Sequence, residues 1–549
     1  MEVLYTYYLA IARWLIAAFC LALGFLWVKY FKSTKTAPKV IAELVTADRV
    51  SIPISSKENI IGRSKRADIL IPLESVHKKH AVLYVKNNKW HLAPLDGKIS
   101  INLQNLTRPA PLEYGDRITI AKQNLTFKRV NSPQKDVSKK GGVIWLMLTL
   151  TAVQLLVFCE LVLKFTYTMP IIGVIAFALL LVLEWVYFAV GINIKNFTFL
   201  TEIPVLFMTT LGLAVLCSGS PENIFKQTVC YLVGVGGYII LTVFLRYPEF
   251  CQKLQRVVMV FTVILLYYTA FFGTITGGAR NWLSIGNFSF QPSELCKPAF
   301  IFCGVSTLYN VVKNPKLQIE FLVYSILSIG ALAIMYDFGA VAIFFVGMLT
   351  VLTLRLIKPI VIFIITGAAM FGTLTLVFVF PYIARRFGVW LHAWEYADGA
   401  GYQQTRTMIA AASGGLLGVG GGNGNLSKVS AADTDLVFGI LSEEWGGIIA
   451  VLTALSVLAI GIYAIRVAKN SDTCFYTIGS LSVAVMLVFQ SALNILGSLD
   501  ILPLTGVTLI FVSRGGTSVI SALLMMAFIK SGELHKRHIS EWRYENEVD

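Results

Sequence analysis

The residues of this sequence best suited to chemistry stand beside long apolar segments. Five cations recur in that setting: Arg280, Lys297, Arg385, Arg386 and Arg406. One of their stretches also carries an amide and a carboxylate, Asn281 and Glu294. A guanidinium forms paired, charge-assisted hydrogen bonds to phosphate, so the arginines among these cations suit a diphosphate group. The alternative interpretation of each cation is an anchor at lipid head groups, because long basic side chains also favour that depth.

The chain that positions these residues is dominated by apolar runs. Of its 549 residues, 56% are hydrophobic and 14% are charged, whereas an ordinary soluble chain carries about 25% charge. The runs are about 18 to 24 residues long, enough for a helix to cross a hydrocarbon core of about 30 Å. Closed β-barrels lack such runs, so the sequence predicts a polytopic α-helical membrane protein of about thirteen spans. The runs 359–380, 436–465 and 507–529 are among the predicted spans.

The positive charge of the chain indicates topology rather than nucleic-acid binding. The net charge is +15, and the Lys and Arg residues cluster in short loops between apolar runs. Lys29, Lys32, Lys35 and Lys39 follow the first run, which places the N-terminus outside and the next segment in the cytoplasm. The same rule places the C-terminal tail in the cytoplasm and the loops rich in Gly and unusual polar residues outside.

Changes in composition divide the chain into segments. Between 38 and 130 short alternating segments replace the apolar runs, which is typical of a small β-rich domain. The predicted organisation is a transmembrane helix at 8–30, a cytoplasmic domain at 38–130, a linker at 131–142, an extra transmembrane hairpin at 143–190, a transmembrane core at 199–530 with a large extracellular loop at 381–435, and a cytoplasmic tail at 531–549.

The polar motifs of the transmembrane core follow one another in an order that resembles a known family. The series is Gly277 to Trp282, Gln291 to Lys297, Asp337-Phe338-Gly339, Arg385-Arg386, Gly401-Tyr402-Gln403, Ser413 to Leu416, Thr434-Asp435, Glu443-Glu444, Leu502-Pro503, Gly506 and Gly515-Gly516. In this order it resembles the SEDS family, the RodA, FtsW and SpoVE proteins of cell shape, elongation, division and sporulation. The series covers about 199–529.

This resemblance implies a ten-span fold and a glycosyltransferase at the outer face of the bacterial plasma membrane. Its substrate would be lipid II, the undecaprenyl pyrophosphate-linked disaccharide pentapeptide, and a class B penicillin-binding protein would be the partner. Such a transfer needs a base for the acceptor hydroxyl and cations for the leaving pyrophosphate. We expect the five cations, together with Gln403 and Asp435 of the matched motifs, to bind the substrate. The cofactor stays open, a divalent cation included, and no metal ligands are predicted.

The base is where this sequence departs from the family pattern. Relatives place an Asp-Pro pair where Tyr396 and Ala397 stand here, and the neighbouring carboxylates are Glu395 and Asp398. Asp398 is the stronger candidate, since Gly399 and the residues after it permit the loop to shift. Two hypotheses follow: a polymerase with a displaced base, or a catalytically degenerate relative that acts as a scaffold or lipid-substrate binder. A flippase ranks below both, because the chain shows no inverted repeat of interrupted helices.

Two further departures lie near the end of the core. Ala431-Ala432-Asp433 stands where relatives usually have Pro-Glu-His, and Arg514 replaces a usual Tyr. Clustered departures of this kind predict a changed substrate, a changed mechanism or lost catalysis.

The soluble domain resembles the forkhead-associated (FHA) β-sandwich. The resemblance is carried by Gly62-Arg63-Ser64, Asp68 to Ile71, His80-Ala81, Asn102 and Leu112 to Ile118. It implies binding of a phosphothreonine protein through Arg63 and Ser64. His77 stands where a phosphate-contacting Ser is usual, while Lys78 could attract phosphate as a point charge. The alternative is a sandwich that binds proteins without phosphate.

Overall fold

The apolar runs and the alternating segment give two different architectures in the computed structural model. The structure describes residues 2–545 apart from 35–41, 48–49, 55–57, 65–66, 87–88, 122, 130–139, 166–170, 195–196, 277, 287, 310–315, 355–359, 361–362, 369–371, 373–377, 379–380 and 472. Most of the predicted linker 131–142 and of the predicted span 359–380 lies outside the described residues.

Contacts divide the chain into two units. The first, which we call the membrane unit, consists of Met1–Thr34, Lys139–Ile465 and Ile478–His535. The second, the sandwich unit, consists of Lys35–Ser138 with Arg466–Thr477 and Lys536–Asp549. The domain boundaries expected from the sequence stay predictions at residue level.

Fifteen helices account for the apolar part of the described chain. They are α1 (Glu2–Ser33), α2 (Lys140–Lys164), α3 (Ile171–Gly191), α4 (Glu202–Gly219), α5 (Ile224–Phe244), α6 (Pro248–Phe272), α7 (Pro292–Leu308), α8 (Lys316–Ile334), α9 (Phe338–Leu354), α10 (Pro381–Val389), α11 (Tyr402–Gly414), α12 (Val437–Glu444), α13 (Gly447–Lys469), α14 (Cys474–Ser498) and α15 (Gly516–Glu545). Ten helices of the described residues are long and apolar enough to cross a membrane, and α9 is a shorter apolar helix of 17 residues. The polytopic helical fold is thus confirmed.

Two predicted spans have different limits in the structure. The run 436–465 is interrupted at Gly446, whose φ of +88° suits glycine, so it forms α12 and α13 rather than one helix. The last span begins at Gly516 rather than at Val507. Residues 507 and 508 lie in a nonhelical segment because their carbonyl groups accept hydrogen bonds from Asn494 and Gln490 of α14.

A small antiparallel sheet forms in the predicted outer loop 274–294. Its strands are β12 (Thr274–Thr276), β13 (Ala279–Ile285) and β14 (Phe288–Phe290), in that spatial order. This sheet fixes the residues that lead into α7.

The sandwich unit contains eleven strands in two sheets. They are β1 (Ala42–Thr46), β2 (Ser51–Ile54), β3 (Glu58–Gly62), β4 (Ile69–Leu70), β5 (Ala81–Lys86), β6 (Lys89–Pro94), β7 (Ile99–Ile101), β8 (Gln104–Leu106), β9 (Ala110–Leu112), β10 (Arg117–Ile120) and β11 (Gln123–Arg129). The sheets have the orders β2-β1-β11-β10-β7-β8 and β4-β3-β5-β6-β9. Trp90 of one sheet packs edge-on against Phe127 of the other, with ring centroids 5.5 Å apart. The predicted β-sandwich is thus confirmed.

Candidate functional site

The two candidate bases lie on an exposed loop between α10 and α11. Ala393–Tyr396 forms one 3-10 turn, and the Tyr396 carbonyl accepts the amides of Gly399 and Gly401, each at 3.0 Å. Glu395 and Asp398 are both exposed. Within the described part of the chain neither carboxylate has a side-chain partner. The loop backbone is therefore ordered by its own hydrogen bonds, while its carboxylates stay available to a ligand.

The start of this loop is held by a residue that the sequence did not single out. Asp500 is 8% exposed, and its two carboxylate oxygens accept the amides of Leu391 at 3.2 Å and Ala393 at 3.1 Å. The indole of Trp390 donates to the Ile501 carbonyl at 3.0 Å. Asp500 has φ of +61°, a conformation that Asp tolerates better than most residues. In the sequence, the one local sign of this role is a charged residue directly before the apolar run Ile-Leu-Pro.

A second group of predicted residues surrounds the chain before α12. Arg386 donates to the Leu504 carbonyl at 2.8 Å, and the Gln403 amide donates to the Ser430 carbonyl at 3.1 Å. Burial raises the pKa of Asp435 to about 6, while a hydrogen bond from Thr434 and the charge of Arg386 act in the opposite direction. The structure therefore brings Arg386 and Asp435 into electrostatic contact. The side chain of Arg385 lies outside the described residues.

The two late departures from the family pattern contact one another. The Arg514 guanidinium lies 2.9 Å from the Asp433 carboxylate, and the Arg514 amide donates to the Asp433 carbonyl at 2.7 Å. Ser220 also donates a hydrogen bond to the Asp433 carboxylate. A cation and an anion that are both unusual in the family thus form a matched pair, which stabilises the segment that carries Asp435.

Lys297 is buried and paired. Its side chain is 1% exposed, and its ammonium group lies 2.6 Å from a Glu294 oxygen and 2.8 Å from the Gln490 amide oxygen. Gln490 and Asn494, one turn apart on α14, bind the backbone at residues 507 and 508. Two polar residues one turn apart in an otherwise apolar helix indicate a polar contact within the membrane unit, and the sequence analysis did not single them out. Substrate binding by Lys297 stays a prediction, and its visible role is to join α7 to α14.

The remaining two cations make local contacts. Arg280 donates to the Phe271 carbonyl at 3.3 Å, and the Arg280 amide donates to the Met335 carbonyl. Arg406 is exposed and lies 5.0 Å from the ring centroid of Tyr402, a cation–π arrangement. Their roles in substrate binding stay predictions.

Two acidic residues of the matched motifs have structural contacts. Asp337 accepts hydrogen bonds from Asn281 and Gln291 and from the amide of Ala340 at the start of α9. The Glu443 carboxylate accepts the amides at residues 425 and 426, at 3.0 and 2.9 Å. Both carboxylates therefore fix the turns that adjoin the candidate site.

The phosphate-binding residues predicted in the sandwich unit lie on two loops paired through their backbones. The amide of Arg63 donates to the His77 carbonyl at 3.0 Å, and that of Ser64 to the Lys78 carbonyl at 3.4 Å. Arg63, His77 and Lys78 are exposed, and Ser64 is half-buried. This arrangement presents Arg63, Ser64 and Lys78 on one surface.

His80 has a packing role beneath these loops. It is 2% exposed, and its Nδ1 accepts the amide of His77 at 3.1 Å, which leaves Nε2 to donate to the Lys98 carbonyl at 2.9 Å. A Cβ added at Gly97 would lie 2.2 Å from the ring of His80. The ring therefore needs a glycine against its face and holds the loop from inside.

The helical bundle with its ordered loop motifs, and the β-sandwich, define a polytopic membrane protein with an FHA-like domain. A family model described as "Cell cycle protein", that of FtsW, RodA and SpoVE, matches residues 192–538, and an FHA domain model matches residues 59–121. The chain belongs to the FtsW/RodA/SpoVE family and carries an FHA domain.

Curated relatives and a solved structure agree with this membership. The "Probable peptidoglycan glycosyltransferase FtsW" of Escherichia coli O6:H1 is 31% identical over 324 residues, which cover 56% of this chain and 77% of that protein. The protein of the same name from Tolumonas auensis is 32% identical over 322 residues, covering 56% and 81%. A solved chain, described under structural coordination of polymerization and crosslinking by a peptidoglycan synthase complex, aligns with a TM-score of 0.52 at 21% identity, covering 62% of this chain and 98% of that one. This last likeness bears on the fold.

Proposed function

We propose that this protein is a peptidoglycan glycosyltransferase that polymerises lipid II at the outer face of the bacterial plasma membrane. The observation that carries the proposal is the loop at 394–401. It presents two exposed carboxylates at the position where the family pattern expects one, on a backbone tied to Asp500 and to its own turn. The names of the FtsW relatives support the same reaction.

In this proposal Asp398, with Glu395 as the second candidate, accepts the proton of an acceptor sugar hydroxyl. The hydroxyl oxygen then bonds to the sugar carbon that carried the pyrophosphate, and undecaprenyl pyrophosphate leaves. Cations stabilise the charge that develops on the leaving group. Arg386 and Arg406 are the best placed by loop position, and Arg280, Lys297, Arg385, Gln403 and Asp435 complete the predicted binding set.

Tyr396 is exposed and sits between the two carboxylates in sequence. An error of about 1 Å in the placement of a catalytic group costs roughly a hundredfold in rate, so the displaced base needs the loop to move when substrate binds. The polymerase is favoured over the scaffold because hydrogen bonds of Arg386, Gln403 and Asp500 order the chain around the loop. Loss of a positioned base typically costs about 10² to 10⁴ in rate.

The proposed orientation places the N-terminus outside and both the FHA domain and the C-terminus in the cytoplasm. It rests on the basic residues of the short loops. Labelling with a membrane-impermeant thiol reagent in intact cells tests it, with a cysteine at Ser64 against one at Asp398. Labelling at residue 398 alone is expected, whereas labelling at residue 64 would overturn the orientation.

The FHA domain supports a phosphothreonine protein as one partner, and Arg63 with Ser64 is the proposed contact. A class B penicillin-binding protein is proposed as the second partner, in keeping with the synthase complex that the solved neighbour comes from. Which process the protein serves, division, elongation or sporulation, follows from these partners.

Polymerisation of labelled lipid II by the purified protein tests the function directly. The protein is assayed alone and with candidate class B penicillin-binding proteins, and glycan chains are resolved by gel. Glycan formation by the parent, lost in the Asp398→Asn/Glu395→Gln double variant, is expected. A parent that makes no glycan with any partner would favour the scaffold instead.

A further inference from the structure

Two helices that lie outside the matched family region pack against the core. α1 and α2 precede residue 192, where the family match begins. They are joined by a hydrogen bond from the Tyr8 hydroxyl to the Leu156 carbonyl at 2.7 Å. A Cβ added at Gly24 of α1 would lie 3.7 Å from Leu452 of α13. The pair therefore belongs to the membrane unit rather than standing apart from it.

Polar side chains of this pair bind one segment of the core, residues 418–425, which we call the glycine loop. The Glu160 carboxylate accepts the amide of Gly421 at 2.6 Å. The amide of Asn423 donates to the Tyr5 hydroxyl at 2.7 Å, and Lys164 donates to the Asn423 oxygen. Both helices thus contribute, α1 through its first turns and α2 through its last.

The fit between the pair and the glycine loop is close. A Cβ at Gly420 would lie 2.7 Å from a methyl group of Leu9, and one at Gly422 would lie 2.5 Å from the ring of Phe165. These apolar contacts flank the polar ones, so any larger residue in the loop would force the helices away.

The opposite side of the glycine loop is bound to the core. The amides of Val419 and Gly420 donate to the carbonyls of Glu443 and Glu444, each at 2.9 Å. The Glu443 carboxylate accepts the amides of residues 425 and 426. From residue 426 the chain continues to Asp433 and Asp435 of the candidate site. The glycine loop therefore lies between the extra helices and that site.

We propose that α1 and α2 form an intramolecular clamp that fixes the glycine loop, with Glu160 as its positioning residue, so that the core works at full rate only when clamped. The dependence of rate rests on the proposed function, whereas the clamping does not. The FHA domain is inserted in the chain between the two arms of the clamp, after Thr34 and before Lys140. The domain is thus joined through the chain to both arms, and a protein that binds it is held next to them.

Hydrogen exchange of the full-length protein in detergent tests the clamp without reference to activity. Glu160→Ala removes the acceptor of the Gly421 amide, and we expect peptides covering 418–425 to exchange about ten- to a hundredfold faster. Glu160→Gln keeps an acceptor oxygen and should restore most of the protection. The matched control is Glu184→Ala, because Glu184 is also a buried carboxylate near α2, bonded to Gln154 rather than to the glycine loop.

Two further variants test the clamp independently of any folding defect in Glu160→Ala. Tyr5→Phe and Asn423→Ala each remove one side of the same hydrogen bond, and their combined effect on exchange should be smaller than the sum of the two. Unchanged exchange in Glu160→Ala, in Tyr5→Phe and in Asn423→Ala would overturn the clamp.

If the parent polymerises lipid II, Glu160→Ala should lower the rate of polymerisation at least tenfold. Faster exchange of the glycine loop at an unchanged rate would show that polymerisation does not depend on the clamp. If the parent is inactive, the proposed function fails and the exchange result alone supports or overturns the clamp.

Discussion

The charged residues near the candidate site fall into two regions with opposite environments. In the buried region, Lys297, Asp433 and Asp500 are each satisfied by partners of the fold. In the exposed loop, Glu395 and Asp398 have no side-chain partner among the described residues. Removing the partner of a buried charge costs several kcal/mol of folding free energy, so we expect the charges of the buried region to affect stability. Those of the exposed loop add little to stability and are free to meet a substrate.

Arg63 of the FHA domain resembles the second region. Its side chain is exposed, its loop is held by the backbone amides of Arg63 and Ser64, and its guanidinium makes one long hydrogen bond, 3.5 Å to the Glu74 carbonyl. Substitutions in the buried region should therefore change the free energy of unfolding, whereas substitutions in the exposed regions should change binding or rate.

Lys297→Ala should have the largest effect on stability. It leaves Glu294 buried without its cation, which typically costs about 3 to 5 kcal/mol. The midpoint of thermal unfolding in detergent measures it. Arg406→Ala removes an exposed cation and is expected to change stability by only about 0.5 kcal/mol. Equal midpoints for the two variants would show that burial does not distinguish these cations.

Arg63→Ala should weaken phosphopeptide binding while the sandwich stays folded. A charge-assisted hydrogen bond contributes roughly 1.5 to 3 kcal/mol, or about ten- to a hundredfold in affinity. Titration with phosphothreonine and plain peptides measures the loss. Lys89→Ala is the control, because Lys89 pairs with Lys86 at the far end of the β5–β6 hairpin. Equal affinity of the parent for both peptides would favour a protein-binding sandwich.

Asp500→Gly should loosen the start of the exposed loop. Glycine accepts the φ of +61°, so the variant isolates the loss of the two hydrogen bonds to Leu391 and Ala393. Leaving such donors unsatisfied costs about 1 to 3 kcal/mol. Hydrogen exchange at residues 389–396 should rise, and Asp500→Asn, which keeps one acceptor, should lie between. Protection that survives in the glycine variant would mean that the loop is held elsewhere.

The smallest expected effect is a pH dependence from Asp435. Its pKa of about 6 in the folded protein exceeds the ordinary value, so the folded state binds the proton more tightly than the unfolded chain. The stability contributed by this group is present at low pH and is lost as the pH rises to about 6. Asp435→Asn should therefore flatten the fall of the unfolding midpoint between about pH 4 and 6. Parallel curves for parent and variant would contradict the raised pKa.

The sequence predicted the features that depend on composition and local pattern. Apolar runs gave the helices, alternation gave the sandwich, and motif order gave the family, all of which are confirmed. The paired contact of Asp433 with Arg514 was not predicted, although both departures were noted, because nothing local indicates that residues so far apart in the chain meet. The break at Gly446 and the nonhelical segment before α15 were missed for a related reason. At Gly446 the chain adopts a φ of +88°, and the amide of Gly447 donates to the Gly415 carbonyl. Before α15, hydrogen bonds from Asn494 and Gln490 to backbone carbonyls override the apolar pattern.

The role of Asp500 was also not predicted, because it depends on contacts between residues far apart in the chain. Its importance comes from two backbone amides more than a hundred residues earlier, and backbone donors leave no trace in residue type. The candidate bases, in contrast, could be named from sequence because an exposed carboxylate beside a family motif is a local feature.

The most direct test compares the two carboxylates of the exposed loop with Asp435 in one assay of lipid II polymerisation. Asp398→Asn, Glu395→Gln, their double variant and Asp435→Asn are measured at matched membrane levels with the same partner. We expect the double variant to lose about 10² to 10⁴ in rate, whereas Asp435→Asn, which perturbs substrate binding, loses less and retains activity at high substrate concentration. Full polymerisation by the double variant, with loss in Asp435→Asn that no substrate concentration restores, would contradict the proposed base and assign that role to Asp435.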